Sequence, residues 1–356
     1  MQRRENSPQL ARIRVVGIGG GGKTAINGMM ADLDQGVEYL TIDTDATSLQ
    51  ETKAPLHIRI GKVAEDVDGT GGNPERGRKA ALGSVEAISN ALYGSDLVFI
   101  IAGLGGGTGS GGAPVVAQAA RRLGALVIGI VTYPFPFEDE GRIVTARQGV
   151  AQLRNWTDTL IVIPNERLMQ SSGGTIGFHE TFRIAQTVWK QSVQGISNLV
   201  NQSGLINVDF ADVRTIVSEG GGAVIATGRA SGNDRARQAA EQATHSELLG
   251  ITIDGAHGIL FNVCGGADMS LQEVRQVAEI ITRRAHNDAN VIFGAAVNPS
   301  LSGEIRITVI ATGFAFAGAN RPAGEGLRDL IRSQTNKRSW QLEAVPFPET
   351  DAIVKN

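Results

Sequence analysis

The sequence predicts an α/β protein made of a parallel sheet covered by helices, a long central helix, and a smaller α/β domain after it. Three observations support this prediction. Short apolar runs alternate with helical patterns up to residue 164, which is typical of a parallel sheet covered on both faces. One long helical pattern follows at 175–202. A second strand–helix alternation then extends from residue 222 to residue 312.

The first alternation defines the sheet and its helices. Asn73 and Pro74 are an N-cap and an N1 proline, the signals that open a helix. Because functional loops lie at the carboxyl ends of parallel strands, we expect the site at that edge. The predicted strands lie at 12–17, 37–43, 96–102, 125–132 and 158–164. The predicted helices lie at 23–33, 75–93, 110–122 and 142–154.

The long helix carries one apolar stripe, since its apolar residues recur three or four positions apart. The stripe consists of Phe182, Ala185, Trp189, Val193, Ile196 and Val200. A shorter helix is predicted from about Phe210. The second alternation predicts strands at 222–228, 257–264, 290–297 and 305–312, and helices at 233–245 and 271–286. The expected organisation is a disordered N-terminus at 1–10, a first domain at 11–174, the central helix at 175–203, a C-terminal domain at 204–316 and a surface tail at 317–356.

Composition limits the function classes. In 356 residues, 42% are hydrophobic, enough for sizeable cores, and a net charge of -3 gives no sign of nucleic-acid or anionic-membrane binding. A single cysteine, Cys264, excludes an intrachain disulfide and fits a reducing compartment. The polar start lacks the apolar core of a signal peptide, and no apolar run reaches the roughly 18 residues of a membrane span. We therefore expect a cytoplasmic protein that does not insert into membranes.

Residues 103–112, GLGGGTGSGG, are the strongest functional signal. They join a predicted buried strand to a predicted helix. A glycine-rich turn in that position exposes backbone N–H groups at the positive end of a helix dipole, which suits a phosphate. A flexible linker is a poor explanation, because so many glycines cost conformational entropy on folding.

The earlier loop at 17–24, GIGGGGKT, fits three interpretations. It matches the dinucleotide fingerprint of a dehydrogenase, with Asp43 as the ribose-binding acid. It also matches the P-loop of an ATPase, with Lys23 on phosphates and Thr24 on Mg²⁺. The third interpretation makes it one of several glycine loops around one nucleotide. Neither enzyme class needs a second glycine cradle, so two loops from one sheet suggest a polyphosphate held from both sides.

With both loops in place, the chain resembles the tubulin/FtsZ superfamily, and within it the bacterial FtsZ family of polymerising cell-division GTPases. The resemblance covers roughly residues 12–314, and its strongest motif is GGGTGSG at 105–111. Five further motifs follow the family's order: 69–75 (GTGGNPE), 134–138 with Arg142, 163–166 (IPNE), 193–196 (VQGI) and 207–213 (NVDFADV). The resemblance implies a Rossmann-like GTPase domain and a C-terminal activation domain.

The resemblance also implies a GTP or GDP site, with Mg²⁺ held mainly through phosphates and water rather than by a certain protein ligand. Glycines and Thr108 would hold phosphates, while Glu138 and Arg142 would lie near ribose and phosphate. Asn165, the ring of Phe182 and Gln186 would meet the guanine. The full set of implied nucleotide-binding residues is Gly19, Gly20, Gly21, Thr24, Gly71, Gly72, Asn73, Gly105, Gly106, Gly107, Thr108, Gly109, Glu138, Arg142, Asn165, Phe182 and Gln186.

Asp209 and Asp212 lie three apart at a predicted helix start, so both carboxylates can share one face. From the residues alone, helix capping by Asp209 is the alternative to a catalytic role. The resemblance implies that these two residues, with Asn207, reach the nucleotide of the next subunit and orient the attacking water. The implied partner is then the protein itself, in a head-to-tail filament at the midcell division site.

The sequence departs from the family pattern at several positions, and two of them, Gln186 and Asp43, keep a second function open together with the unmatched C-terminal peptide. Gln186 stands where Asn or Asp is usual, Asp43 replaces an asparagine, and Lys23 and Tyr133 are also unusual. No C-terminal adaptor-binding peptide can be matched, so docking to division adaptors is an open expectation, and the chain is either truncated or a divergent paralogue. The alternative is an FtsZ-like filament or regulatory protein with weak or no GTPase activity.

Overall fold

The computed structural model describes residues 11–30, 36–61, 69–170, 178–201, 204–218, 222–246 and 251–314. The expected disordered N-terminus at 1–10 and the surface tail at 317–356 lie outside the described residues. No helix in these described ranges is both long enough and apolar enough to cross a membrane.

The predicted parallel sheet is confirmed. Its strands run in the spatial order β6-β5-β4-β1-β2-β3, and every neighbouring pair is parallel. The strands are β1 (Ile13–Ile18), β2 (Val37–Asp43), β3 (Leu56–Arg59), β4 (Leu97–Gly103), β5 (Leu126–Tyr133) and β6 (Thr159–Pro164). This is the order of a doubly wound fold, in which the chain reverses its winding direction between β1 and β4.

Helices cover both faces of this sheet. They are α1 (Gly19–Met29), α2 (Ala46–Gln50), α3 (Pro74–Gly83), α4 (Val85–Leu92), α5 (Gly107–Arg122), α6 (Glu140–Arg154), α7 (Asn165–Gln170), α8 (Phe178–Asn201) and α9 (Phe210–Ser218). Asn73 caps α3 as expected, with its side chain accepting from the N–H groups of Glu75 and Arg76.

The predicted single helix at 75–93 is wrong, because the chain breaks between α3 and α4. Ser84 leaves the helical conformation, with φ -118° and ψ 15°. Its hydroxyl accepts a hydrogen bond from the N–H of Gly61. That contact connects the break to the segment that follows β3. β3 is a short edge strand that the sequence pattern did not indicate.

The central helix α8 buries four residues of the predicted stripe, and Val200 is partly buried beside them. Ala185, Trp189, Val193 and Ile196 are each 1% exposed or less and pack in the core on one face of the sheet. The side chain of Phe182 lies outside the described part of the structure. On the opposite face, a separate core forms under α3, α4 and α5. The sheet is therefore buried on both faces, which explains its nearly continuous apolar strands.

The C-terminal domain is a smaller mixed sheet in the order β7-β12-β10-β11. In the described ranges, it joins the first sheet through one parallel residue pair, Leu160 of β6 with Gly222 of β7. Its elements are β7 (Gly222–Ser231), α10 (Arg235–Thr244), β8 (His245–Ser246), β9 (Ile251–Thr252), β10 (Gly258–Gly265), α11 (Leu271–Thr282), β11 (Asn290–Val297) and β12 (Glu304–Phe314). α10 and α11 cover one face over a third core.

A buried arginine fastens α10 to α11. Arg235 is 7% exposed, and its guanidinium donates to Glu273 at 2.7 Å and to Asp268 at 2.5 Å. Hydrogen bonds from Arg235 hold the pKa of Glu273 and of Asp268 below their ordinary values of 4.5 and 3.8. Carboxyl groups with a lowered pKa stabilise the fold above that range, and the contribution is lost as the pH falls through it.

We therefore expect Arg235→Met to lower the melting temperature at pH 7, because it leaves two carboxylates without their cation. The difference from wild type should shrink as the pH falls below about 4.5, since both carboxyl groups then become neutral. Thermal melts from pH 7 to pH 3 would measure this. Arg275→Met is the matched control, because Arg275 belongs to an exposed ion pair on α11. An equal shift at every pH would contradict the assignment.

Candidate functional site

Two glycine loops meet at the carboxyl edge of the parallel sheet. β1 and β4 are neighbours, and Ile18 at the end of β1 pairs with Ala102 near the end of β4. The winding direction reverses between these strands, and ligands of doubly wound folds bind in the crevice at that reversal. The loop that opens α1 and the loop that opens α5 both begin there.

The two loops touch each other. Gly19 has a φ of +69°, and a side chain built there would lie 3.3 Å from the backbone N of Gly109 and from Cβ of Thr108. A side chain at Gly21 would lie 3.0 Å from Cα of Gly103. Glycine is needed at these positions because each loop approaches the backbone of the other.

Both loops present free helix N-termini to the crevice. In the described structure, neither Ile18 nor Gly106, the N-cap residues of α1 and α5, caps its helix with a side chain, and neither helix has an acidic residue in its first turn. The first N–H groups of a helix lack intrahelical acceptors and carry partial positive charge. An anion between the two loops would satisfy both sets.

The space for such an anion is at Gly20 and Gly106. A side chain at either position would have no other described atom within 4 Å. By contrast, a side chain at Gly105 would lie 2.7 Å from Pro134, and one at Gly107 would overlap Thr70 and lie 2.6 Å from the carbonyl oxygen of Asn73. Gly105 also has a φ of +101°, and Ser110 accepts from its N–H. The second glycine loop is therefore tightly packed at Gly105 and Gly107 and open at Gly106, which fits a phosphate cradle.

The loop at 69–75 packs behind the second glycine loop. Gly71 and Gly72 both have positive φ, and a side chain at Gly72 would meet no other described atom within 4 Å. Asn73 uses its side chain to cap α3. Its backbone contacts Gly107. The structure therefore brings the third predicted loop to the site, with Asn73 committed to the helix start.

The residues after β2 also reach the site, although the predicted set omitted them. The hydroxyls of Thr44 and Thr108 lie 2.9 Å apart, and both side chains are buried. Asp43 is 3% exposed and turns back on its own loop, accepting from the Thr44 N–H and the Ser48 hydroxyl. β2 pairs with β1, and this pairing brings the loop after β2 to the same end of the sheet as the glycine loops.

Glu138 and Arg142 form a pair beside the second glycine loop. Their ion pair measures 2.9 Å, and Glu138 also accepts from the N–H of Phe135. A side chain at Gly105 would lie 3.2 Å from the backbone oxygen of Arg142. Nearby, the Tyr133 hydroxyl donates to the carbonyl oxygen of Ile143, and burial raises the pKa of Tyr133. Its phenol therefore stays neutral at physiological pH.

Lys23 and Thr24 have other partners than a P-loop requires. Lys23 Nζ pairs with Glu51 at 2.6 Å. The Thr24 hydroxyl donates to the carbonyl oxygen of Gly20 at 2.9 Å. Because each side chain is engaged by another group of the protein, the geometry disfavours the P-loop interpretation.

Three residues were expected to contact the guanine, and the structure describes the side chains of two of them. Asn165 is buried at the carboxyl end of β6, at the start of α7. Gln186 packs against Gly28 of α1, and its Nε2 donates to the carbonyl oxygen of Thr24 at 3.3 Å. The side chain of Phe182 is not described. Gln186 thus contacts the helix that begins at the first glycine loop.

Asp209 and Asp212 form a reciprocal capping box at the start of α9. Asp209 accepts from the Asp212 N–H at 2.8 Å, and Asp212 accepts from the Asp209 N–H at 3.1 Å. Asn207 accepts from the N–H of Gly204 at 2.6 Å. Asp209 and Asp212 therefore cap α9, and both carboxylates remain at the protein surface. These bonds do not decide whether the two carboxylates also have a catalytic role.

α9 lies at the amino ends of the parallel strands, whereas the glycine loops lie at their carboxyl ends. Its end is bound to the start of β6 through Thr159, whose hydroxyl donates to the carbonyl oxygen of Val217. Arg214 donates to the carbonyl oxygen of Gly124, just before β5. Strands of this length separate the two edges by about 20 Å, at about 3.3 Å per residue. One chain therefore does not bring Asp209 and Asp212 to its own glycine loops.

A protein-built metal centre is not evident in the described ranges, where no group of three or more His, Cys, Asp or Glu side chains could hold an ion. Between the two glycine loops, the protein offers hydrogen-bond donors, namely backbone N–H groups and the hydroxyls of Thr44 and Thr108. Backbone N–H groups have no lone pair with which to bind a cation. A divalent cation at this site would depend on the phosphates and water for most of its ligands.

Comparison with known families covers most of the chain. Residues 12–173 match the model of the Tubulin/FtsZ family, GTPase domain. Residues 221–315 match the model of the FtsZ family, C-terminal domain. These bounds place the two glycine loops in the first match and the smaller mixed sheet in the second.

Solved structures show the same relationship. An FtsZ dimer from M. jannaschii is 41% identical, with a TM-score of 0.78, over 86% of this chain and 89% of that chain. CetZ2 from Haloferax volcanii, a GTPγS-bound protofilament, is 20% identical, with a TM-score of 0.71, over 85% of this chain and 93% of that chain. CetZ1 from the same organism, a GDP-bound monomer, is 18% identical, with a TM-score of 0.72, over 85% of this chain and 94% of that chain. The two CetZ likenesses concern the fold alone.

Proposed function

The chain belongs to the FtsZ family of the tubulin/FtsZ GTPases, and on that premise we propose that it binds GTP, polymerises head to tail and hydrolyses GTP between subunits. The observation that carries the proposal is the separation of two half-sites. The glycine loops lie at one edge of the sheet, and Asp209 and Asp212 lie at the other. Stacking copies along that axis joins the half-sites at every interface, and such head-to-tail contacts form open filaments.

In this proposal, the glycine loops bind the phosphates through backbone N–H groups. Gly20 and Gly106 face the open space, and Thr108, held by Thr44, adds a hydroxyl. These donors stabilise negative charge on the transferring phosphoryl group. Mg²⁺ bound to the phosphates would neutralise further charge.

The neighbouring subunit supplies the carboxylates. Asp209 and Asp212 each use oxygen atoms to cap α9, and a carboxylate has about four lone-pair sites, so acceptors remain for a water molecule. A water that donates to them would be oriented toward the γ-phosphate. The capping box fixes both carboxylates before assembly, so little reorganisation is needed when the interface forms.

A filament protein with weak or no hydrolysis is the second candidate. The capping box favours it, because the same hydrogen bonds give Asp209 and Asp212 a structural role without any catalysis. Gln186 also uses its amide to contact α1, whereas a guanine-binding residue would direct its amide toward the guanine. Phosphate release at assembling concentrations separates the two candidates.

The cellular part of the proposal follows from the family. A cytoplasmic filament at the division site is the role we propose, with the protein itself as its main partner. Binding to division adaptors is not part of the proposal, because no adaptor-binding peptide can be matched in the sequence after residue 314.

The test begins with the nucleotide that copurifies with the protein. We expect GDP or GTP in near-equal amount to the chain, followed by light scattering that rises with GTP and not with GDP. Phosphate release should depend on protein concentration more steeply than linearly, because each active site needs two subunits. Tight binding of NAD or ATP without guanine nucleotide would overturn the proposal and revive the dehydrogenase or ATPase interpretation.

A further inference from the structure

Residues 43–53 form a strap between the two glycine loops. The strap leaves the end of β2, contains α2, and ends beside α1. At its first end, the Thr44 hydroxyl contacts the Thr108 hydroxyl in the second glycine loop at 2.9 Å. Inside it, Asp45 caps α2 by accepting from the N–H groups of Thr47 and Ser48. The strap is therefore an ordered piece of backbone that touches the phosphate cradle.

The second end of the strap is held by the helix that follows the first glycine loop. Lys23 and Asn27 are four residues apart on α1, so they share one face. Lys23 Nζ pairs with Glu51 at 2.6 Å. Asn27 donates to the carbonyl oxygen of Glu51 at 3.0 Å and accepts from the N–H of Lys53 at 2.7 Å.

The Lys23 side chain is 13% exposed, whereas that of Glu51 is 67% exposed. The lysine therefore lies under the strap and the carboxylate closes over it from the outside. The hydroxyls of Thr52 and Thr41 lie 2.8 Å apart and add a contact to β2. Together these contacts tie the strap to the elements around the first glycine loop.

We propose that Lys23 and Asn27 are positioning residues for the nucleotide, acting through the strap. This inference rests on the proposed function for the ligand, though not for the strap itself. The strap contacts one cradle loop through Thr44 and is held at the other by Lys23 and Asn27, so it fixes the spacing of the two loops. If the Lys23 end of the strap is released, the contact between Thr44 and Thr108 loosens. The nucleotide then dissociates faster from the phosphate cradle.

The kinetic test is the release rate of a fluorescent GDP, measured without GTP so that filaments do not form. Lys23→Met and Glu51→Gln should each speed release about threefold, because partly exposed ion pairs contribute modestly. The double variant should release no faster than either single variant, since the pair is already broken. Lys23→Arg should restore slow release. Asn27→Ala should speed release further, because it removes two hydrogen bonds to the strap.

The salt dependence gives an independent readout. Release from the wild type should accelerate as NaCl rises, because salt screens the Lys23–Glu51 pair, and release from Lys23→Met should change much less. Glu279→Gln is the matched control, because it breaks an exposed ion pair on α11 in the other domain. Additive effects of the two single changes, or equal effects of the control, would overturn the inference.

Hydrogen exchange separates this inference from the proposed function. In nucleotide-free protein, the amide groups of residues 44–53 should exchange faster in Lys23→Met than in wild type, with no change in α11. If the wild type holds no guanine nucleotide, the proposed function fails, and this measurement still decides whether Lys23 orders the strap. Unchanged exchange in the strap would refute the positioning role.

Discussion

Replacing Asp212 with asparagine should abolish GTP turnover while leaving the fold and nucleotide binding intact. The amide oxygen introduced by Asp212→Asn can still accept from the Asp209 N–H, so the capping box survives. The negative charge that orients the attacking water is lost. We expect phosphate release to fall at least about 100-fold, which corresponds to ~2.7 kcal/mol of transition-state stabilisation.

This substitution separates capping from catalysis. Asp212→Ala removes both the charge and the capping acceptor, so its loss of turnover alone would be ambiguous. Loss of a cap costs about 1 kcal/mol of stability, which a thermal melt detects. Asp212→Asn with wild-type melting, wild-type GDP affinity and near-zero phosphate release assigns chemistry to the carboxylate. Full turnover in that variant would restrict Asp212 to capping and favour the weakly hydrolysing candidate.

The fold was predictable where local pattern and tertiary structure agree. β4 is a continuous apolar run and β1 is interrupted only by Arg14, because both faces of the sheet are covered. α8 shows its stripe because one of its faces packs on that sheet. The edge strand β3 was missed, since Leu56 and His57 are exposed there and no apolar run marks the strand. The break at Ser84 depends on Gly61, a distant partner that periodicity does not reveal.

The site was predictable only in part, for related reasons. Glycine runs after two strands indicate a cradle because the residue type itself is the signal. Thr44 reaches Thr108 only because β2 lies beside β1, and that requires the strand order. Asp209 and Asp212 were recognisable as a capping pair or a catalytic pair. The structure shows that these residues cap α9 and lie at the end of the sheet opposite the glycine loops. The sequence pattern of one chain cannot reveal that a residue completes the active site of a neighbouring subunit.

Replacing either of the two open glycines with alanine should weaken nucleotide binding without unfolding the protein. No other described atom lies within 4 Å of a side chain built at Gly20 or Gly106. The methyl group would stand in the space between the loops that the phosphates should fill. We expect GDP affinity to fall at least about tenfold, or ~1.4 kcal/mol, measured by titration with a fluorescent nucleotide.

Two other glycines are the controls. Gly83→Ala is equally open but lies at the end of α3, and alanine there should be neutral or stabilising by up to about 1 kcal/mol. Gly107→Ala would overlap Thr70, so it should destabilise the fold by about 1–3 kcal/mol through overpacking and lower the melting temperature. If Gly20→Ala and Gly106→Ala bind GDP as the wild type does, the crevice between the loops does not hold the phosphates.

Mixing a cradle variant with a carboxylate variant joins the two expected results. Gly106→Ala subunits keep Asp212 but bind nucleotide poorly, and Asp212→Asn subunits keep the cradle but lack the charge. At a GTP concentration well below the weakened affinity of Gly106→Ala, neither variant should hydrolyse GTP appreciably alone. In a mixed filament, the cradle of an Asp212→Asn subunit can face an intact Asp212, and random mixing at equal amounts gives about one such interface in four. Turnover that reappears only in the mixture would show that one active site is built from two subunits, because no rearrangement within a single chain can supply both halves.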